Sequence, residues 1–329
     1  MLVDFNVWVY SMTYNTPNPL RIYIKYFALI ALLLCYCDNS GINNNYEVPL
    51  IMDQYPSSSN NCGMVYYHED ESDEYPSGIY SVNIGEYTVS YILGGEYPDL
   101  DCSGENIVYQ EFDMGTITFS VYDLISESSE RLNTINSNYS MYPSWYSTNS
   151  IIYSSHQGPQ DSVGVWIYNY SHNSYRHVIN RYVQYAVASD DTLRIVFIES
   201  ATNNQYLAIC NHDGTGYRRL LGADELNTFA LHKPSFNGSG TQIVFSTNNT
   251  NDNDAGVYIY DMSLESYSEV IAGGTQPSWH NNDTMIIYTK YVIYNKYEYD
   301  NSNGYLWIYD ILSKQSAPIT SALTYGGSR

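Results

Sequence analysis

Six times the chain leaves a polar turn through an apolar pair and closes on an aromatic ring. The copies read YPSSSNNCGMVY (55–66), YPDLDCSGENIVY (97–109), PSWYSTNSIIY (143–153), YAVASDDTLRIVF (185–197), KPSFNGSGTQIVF (233–245) and QPSWHNNDTMIIY (276–288). Their closing rings are Tyr66, Tyr109, Tyr153, Phe197, Phe245 and Tyr288, separated by 43, 44, 44, 48 and 43 residues. Spacing so even marks an internal repeat, and a repeat constrains a fold more tightly than any composition does.

A second element follows each copy: GIYSVN (78–83), TFSVYD (118–123), VWIYN (165–169), YLAICN (206–211), VYIYD (257–261) and LWIYD (306–310). Each is a short apolar or alternating run that meets Asn or Asp and a polar turn, the pattern of a strand entering a hairpin. A further short segment comes after it: YTVSYIL, SERLN, YRHVI, YRRLL, YSEVI and, weakly, SAPIT. One unit is thus four short strands. A single four-stranded sheet cannot cover both of its faces, but six packed radially can. The expected fold is all-β, a six-bladed β-propeller with four antiparallel strands per blade. Composition agrees, because 38 tyrosines among many Asn and Ser favour strands and turns over helices.

The order P-S-W, polar turn, I-I-Y, then W-I-Y-D and Y-R-R-L resembles the WD40-like repeat of TolB-type six-bladed propellers. NHDGTGYRRL (211–220) closely matches that family's turn between third and fourth strands. Two departures stand out: the usual Asp-Gly turn after PSW is replaced by STN, NND or GSG, and the fourth unit lacks its Pro. The resemblance covers residues 55–320. The expected propeller spans 55–325, with blades at about 55–97, 97–142, 142–186, 186–233, 233–276 and 276–325. Residues 38–54 are a linker or a closing strand. Either YEVPLIM (46–52) supplies the outermost strand of the last blade, or APITSAL (317–323) fills that slot.

The first 37 residues read differently. Arg21 and Lys25 precede YFALIALLLCYC (26–37), an uncharged run of twelve. A spanning helix needs roughly 20 apolar residues, so the run is short for an anchor. A positive flank, a short apolar core and then polar DNSGINNN form the layout of a secretory signal peptide. The segment also resembles a bacterial lipoprotein signal, which implies lipidation at Cys37 or Cys35. Leu34 or Leu32 stands at the third position back, although neither Tyr36 nor Leu34 is the small residue that should precede the cysteine. The expected location is periplasmic or cell-surface, anchored by lipid. Export permits disulfides. Cys62 and Cys102 fall in turns of neighbouring blades and are candidates for one, while free thiols fit the spacing equally well.

Acidic residues outnumber basic ones 35 to 13, a net charge of −22. Such a surface cannot clothe a phosphate backbone or an anionic bilayer, so nucleic acid and lipid headgroups are poor partners. Catalytic motifs are missing as well. No G-x-S-x-G elbow, P-loop, G-x-G-x-x-G, H-E-x-x-H or zinc spacing occurs, and no cofactor is expected. HEDESDE (68–74) concentrates Glu69, Asp70, Glu71, Asp73 and Glu74, enough oxygen for weak Ca²⁺ binding, though a solvated charged loop explains it as well. NDNDAG (251–256) places Asp252 and Asp254 in loosely calcium-like order without the bidentate Glu.

The closing rings are read as wedges between blades, and Trp145, Phe236 and Trp279 as wedges near the axis. Oligogalacturonate lyases resemble this fold and use His ligands for a metal near the channel. Here only His232 and His280 lie close to first strands, while His68, His156, His172, His177 and His212 are placed in loops or turns. The expected function is a monomeric, non-enzymatic envelope scaffold that binds a protein or peptidoglycan-associated partner, as TolB-like propellers do. The alternative is a carbohydrate-active or metal-dependent enzyme, or a glycan-binding protein, working at the channel mouth.

Overall fold

The computed structural model describes residues 53–57, 64–69, 76–113, 116–132, 140–155, 163–228, 230–248, 255–280, 283–291 and 304–320. All lie in the compact unit Pro49–Arg329. The export segment, including Cys35 and Cys37, falls outside them, as does 46–52.

Among the described residues, twenty-four strands form six sheets, each of four consecutive antiparallel strands. Blade 1 runs Asp53–Ser57, Met64–Glu69, Gly78–Asn83, Val89–Leu93, and blade 2 runs Glu96–Leu100, Asn106–Asp113, Thr116–Asp123, Ser128–Arg131. Blade 3 is Ser140–Ser147, Ser150–Ser155, Gly164–Asn169, Ser174–Ile179; blade 4 is Val183–Ala188, Arg194–Ala201, Asn204–Asn211, Arg218–Gly222. Blade 5 comprises Ala230–Phe236, Gln242–Asn248, Gly256–Asp261, Ser266–Ala272, and blade 6 comprises Gly274–His280, Met285–Tyr291, Gly304–Asp310, Gln315–Pro318. Gln315–Pro318 therefore takes the outermost place of blade 6 that 46–52 was one candidate for.

Burial follows the order of strands. Every residue of Ser150–Ser155 is buried, whereas Ser128–Arg131 and Gln315–Pro318 are exposed throughout. Second strands are covered on both faces by neighbouring blades, so they read as continuous apolar runs. Outermost strands meet water at the circumference and tolerate Ser, Glu and Arg.

The core is six apolar seams, one between each pair of neighbouring blades, rather than one central cluster. The seam between blades 6 and 1 contains Ile287, Leu306 and Ile319 from one side and Val65, Tyr67, Tyr80 and Val82 from the other. Among the described residues the ring thus closes by side-chain packing, and each blade is built from four consecutive strands.

Tyr109, Tyr153, Phe197, Phe245 and Tyr288 are wedges, each buried to within 1 % and packed toward the preceding blade. Blade 1 departs from the expected alignment. Ser57 pairs with Tyr66, as Asp99 pairs with Val108 and Ser144 with Ile152, so Tyr67 occupies the wedge position and Tyr66 faces blade 2. A shift of one residue turns a strand over. Because Met-Val-Tyr-Tyr offers a ring to either face, the sequence pattern does not reveal the shift.

In five blades the Asn or Asp that ends the third strand organises the following hairpin, while in blade 4 Asp213 Oδ1 accepts the Thr215 amide. Asn83 Oδ1 accepts the Gly85 and Glu86 amides, Asp123 Oδ1 those of Ile125 and Ser126, and Asp261 Oδ1 those of Ser263 and Leu264. Asn169 accepts the His172 amide and Asp310 that of Ser313 in the same way. These are Asx turns. Gly164 opens the third strand of blade 3 at φ 135°, where a Cβ would lie 1.9 Å from the Ile179 carbonyl oxygen of the outermost strand. Only glycine lets the two backbones meet there.

Candidate functional site

Each first strand carries a register shift at the same place, and in blades 2 to 6 the residue before the repeat-opening Pro or Ala turns left-handed there. Tyr97 (φ 53°), Tyr142 (59°), Tyr185 (54°), Lys233 (35°) and Gln276 (50°) belong to five successive blades. The shifts fall between Glu96 and Asp99, beside Met141–Ser144, between Gln184 and Val187, between His232 and Ser235, and between Thr275 and Ser278. Proline disfavours the right-handed helical region for the residue before it. A left-handed conformation costs a non-glycine residue about 1 kcal/mol or more, so the surrounding ring must hold it. The bulges bring Tyr97, Tyr142, Tyr185 and Lys233 to the wall of one cavity with Pro98, Asp99, Pro143, Ser144, Ala186 and Val187. Its volume is about 50 Å³. Drug-sized ligands need roughly 300 Å³ or more, so this space suits a small group.

The tyrosines form a continuous aromatic arc. Tyr97 meets Tyr142 edge-on with ring centroids 4.8 Å apart, and Tyr142 lies 4.1 Å from Tyr185 at 31°. Tyr185 continues to His232 at 5.8 Å, and its hydroxyl shares a 3.2 Å hydrogen bond with His232 Nδ1. Burial pushes the Tyr142 phenol pKa up, while hydrogen bonds with Tyr185 and Tyr97 act the other way. Burial also lowers the His232 imidazole, whose Nε2 is buried with no hydrogen-bond partner among the described residues.

Two charges stand beside the arc. Lys233, on blade 5, donates from Nζ to the Pro56 carbonyl oxygen of blade 1 at 2.6 Å. Lys233 is half-buried and lines the cavity, and the surrounding blades desolvate its ammonium. Burial drives its pKa down to about 7, and the opposing charge of Asp99 recovers a little. Asp99 itself ties three blades together. Ser57 Oγ donates to Oδ1 at 3.0 Å, and Ser144 Oγ and the Trp145 amide donate to Oδ2 at 2.7 and 2.9 Å.

The first-strand tryptophans are interblade clips as well as wedges. Trp145 Nε1 donates to the Asp99 carbonyl at 2.9 Å and Trp279 Nε1 to the Ser235 carbonyl at 3.1 Å, in each case reaching the preceding blade.

The hub therefore joins residues that sequence reasoning treated separately or passed over. His232 was noted for its proximity to a first strand, but Tyr97, Tyr142, Tyr185, Asp99 and Lys233 were not singled out. Their sequence signal is the residue before, or just after, each repeat-opening Pro. His280 is buried in its first strand, with burial lowering its pKa. Two expected placements are corrected: His68 is buried within Met64–Glu69, 3.4 Å from Ser77 Oγ, and His177 lies in Ser174–Ile179, stacked 4.3 Å from Trp166. Period-2 strands extend further into the polar segments than apolar patterning alone indicates.

Among the metal candidates, Asp70, Glu71, Asp73, Glu74, Asp252 and Asp254 lie outside the described residues, and only the backbone of Glu69 is described. Among the described residues no three His, Cys, Asp or Glu side chains gather closely enough to hold a metal ion. Cys102 is exposed and Cys210 buried. Cys62 lies outside the described residues.

No family model and no curated protein matches the chain. Solved structures do. TolB from Acinetobacter baumannii superposes with a TM-score of 0.58 at 16 % identity, over 68 % of this chain and 54 % of that one. This chain thus spans about half the length of that TolB. A putative TolB from Agrobacterium tumefaciens gives 0.57 at 12 % identity, over 78 % and 90 % of the two chains. The β-propeller domain of the trilobed protease from Pyrococcus furiosus, described as having an open velcro topology, gives 0.55 at 14 %, over 83 % and 98 %. At such identities the likeness is one of fold.

Proposed function

We propose that the propeller is a non-enzymatic binding module of the cell envelope, exported and held at the periplasmic or outer surface by a lipid. Its partner is a protein or a peptidoglycan-associated component, and the hub mouth is where it docks. The observation that carries this reading is the arc of Tyr97, Tyr142 and Tyr185, three strained positions on consecutive blades that all spend their side chains on one small cavity. The left-handed position recurs from blade to blade, and in blades 2 to 4 it is a tyrosine that faces the same opening. Tyrosine supplies large, amphipathic contact area at low entropic cost. A cavity this small admits one inserted side chain or terminal group, with the rim carrying the remaining contact.

The test is capture from envelope extracts by the mature chain, repeated with Y142A/Y185A and with L264A, an exposed turn position. A specific partner should be retained by L264A and lost by the tyrosine variant. A folded tyrosine variant that keeps its partner would remove the hub from the reading. The same arc supports a second reading, stacking on a sugar ring by a glycan-binding protein. Under it, soluble wall-derived oligosaccharides quench the hub tyrosines in the wild type and leave Y142A/Y185A unchanged.

A further inference from the structure

Basic residues are scarce in this chain, and they are unevenly spread. Residues 176–222 hold Arg176, Arg181, Arg194, Arg218 and Arg219 against Asp190, Asp191, Glu199 and Asp213, so this stretch is net positive within a chain of net charge −22. It covers most of the outermost strand of blade 3 and all of blade 4.

Two of these arginines meet on one carboxylate. Glu199 stands near the end of the second strand of blade 4, its side chain only 5 % exposed. Arg181, from the connection between blades 3 and 4, donates to Oε1 at 2.8 Å. Arg219, on the outermost strand of blade 4, donates from Nε to Oε2 at 2.8 Å and from Nη2 to Oε1 at 3.2 Å. The Tyr217 hydroxyl also donates to Oε2. Burial raises the Glu199 pKa, but the hydrogen bonds from Arg219, Tyr217 and Arg181 more than reverse it, so the carboxylate stays charged. One guanidinium neutralises that charge, and the second is in excess.

Tyrosine rings hold both guanidinium planes. Arg181 Cζ lies 3.8 Å from the Tyr217 ring centroid, and Arg219 Cζ lies 3.8 Å from that of Tyr206. Both arginine side chains are about two-fifths exposed. Among the described residues Arg181 Nε and Nη2 and Arg219 Nη1 make no hydrogen bond. Their neighbours are committed elsewhere: Arg176 to the His212 carbonyl and the Tyr146 hydroxyl, Arg218 to Glu265.

We propose that Arg181 and Arg219 form a docking site for an acidic peptide segment of a protein partner, whose Asp or Glu carboxylate binds the outward N–H groups. The planar fork of a guanidinium matches a carboxylate, and Glu199 with the stacked rings fixes the fork beforehand, so little freedom is lost on binding. The acidic remainder of the ring does not forbid this. At physiological ionic strength the field of an exposed charge fades over about 8 Å, so the segment responds to the local excess and is repelled from the sectors around it. None of these residues lines the hub cavity, so the site is additional to the hub.

The experiment treats the full chain with phenylglyoxal, which condenses with accessible guanidinium groups, and quantifies modified peptides by mass spectrometry with and without hexaglutamate. The peptide should slow labelling of Arg181 and Arg219 at least about threefold and leave exposed Arg131 of blade 2 unchanged. That protection should vanish in about 0.5 M salt. Missing protection at both arginines, equal protection at Arg131, or protection by hexaglutamine overturns the proposal. Labelling that slows with protein concentration alone assigns the surface to a second copy of the chain and overturns it too. In R181Q, where Arg219 still neutralises Glu199, hexaglutamate affinity read by fluorescence anisotropy should fall about fivefold. An unchanged affinity counts against the site. The hub reading is tested through Y142A/Y185A, so failure of one is distinguishable from failure of the other.

Discussion

Asp99 occupies the position that is Ser in blades 1, 3, 5 and 6, and the substitution changes what the hub can do. A serine offers one short hydroxyl, whereas the carboxylate reaches Ser57 on one side and Ser144 with the Trp145 amide on the other. Asp99→Ala leaves those three donors without an acceptor and should cost about 2–3 kcal/mol, read from urea midpoints. Lys233 carries the opposite sign in the ledger. Its folded pKa is depressed to about 7, so between there and its unfolded value the unfolded chain binds the extra proton. Stability therefore rises with pH across that window, and the penalty is fully present below it. Comparing wild type with K233M between about pH 7 and 9 should show the slope in the wild type alone, and equal slopes would show that the amine is not desolvated.

Six copies of one hairpin make the element scale a natural comparison. Blades 2, 5 and 6 end their third strands in Asp123, Asp261 and Asp310, while blades 1, 3 and 4 use Asn83, Asn169 and Asn211. Both residue types accept the turn amides, but only the carboxylates titrate. Asp261 is held down at about 2, first by the Ser263 hydroxyl and then by the Leu264 amide. Being depressed, it contributes stability above its unfolded value near 4 that is lost as pH falls through about 2. Asp261→Asn should preserve the turn and flatten that part of the acid unfolding curve, with urea midpoints from pH 5 to 2 as the measurement. An unchanged acid limb would mean that the turn does not depend on its charge. The identities and order of these strands were legible in the sequence, because Asx turns and apolar runs are local. The bulges before each Pro were not, since the alternation on either side looks unbroken, and blade 1 hid its one-residue shift behind adjacent tyrosines.

At the scale of the whole molecule, stability resides in seams. Leu306 is fully buried between blades 6 and 1, the one seam whose blades are remote in sequence. Leu306→Ala should cost about 2–5 kcal/mol. Because side-chain packing holds that seam among the described residues, amide exchange should rise in blades 1 and 6 together and leave blades 3 and 4 protected. Uniform acceleration would mean that the ring opens only as a unit.

By itself the sequence determined the repeat, the strand count and the all-β ring, because each depends on side-chain periodicity and turn residues read over a few positions. Wedge burial at Tyr109, Tyr153, Phe197, Phe245 and Tyr288 followed from the same periodicity. Tertiary structure alone decided how the ring closes and what meets at its axis. Tyr97, Tyr142, Tyr185 and Lys233 stand 43 to 48 residues apart, and nothing local tells that their side chains share one cavity. Sixfold packing brings them together, and the enclosure it creates lowers the Lys233 pKa. That enclosure belongs to the ring as a whole.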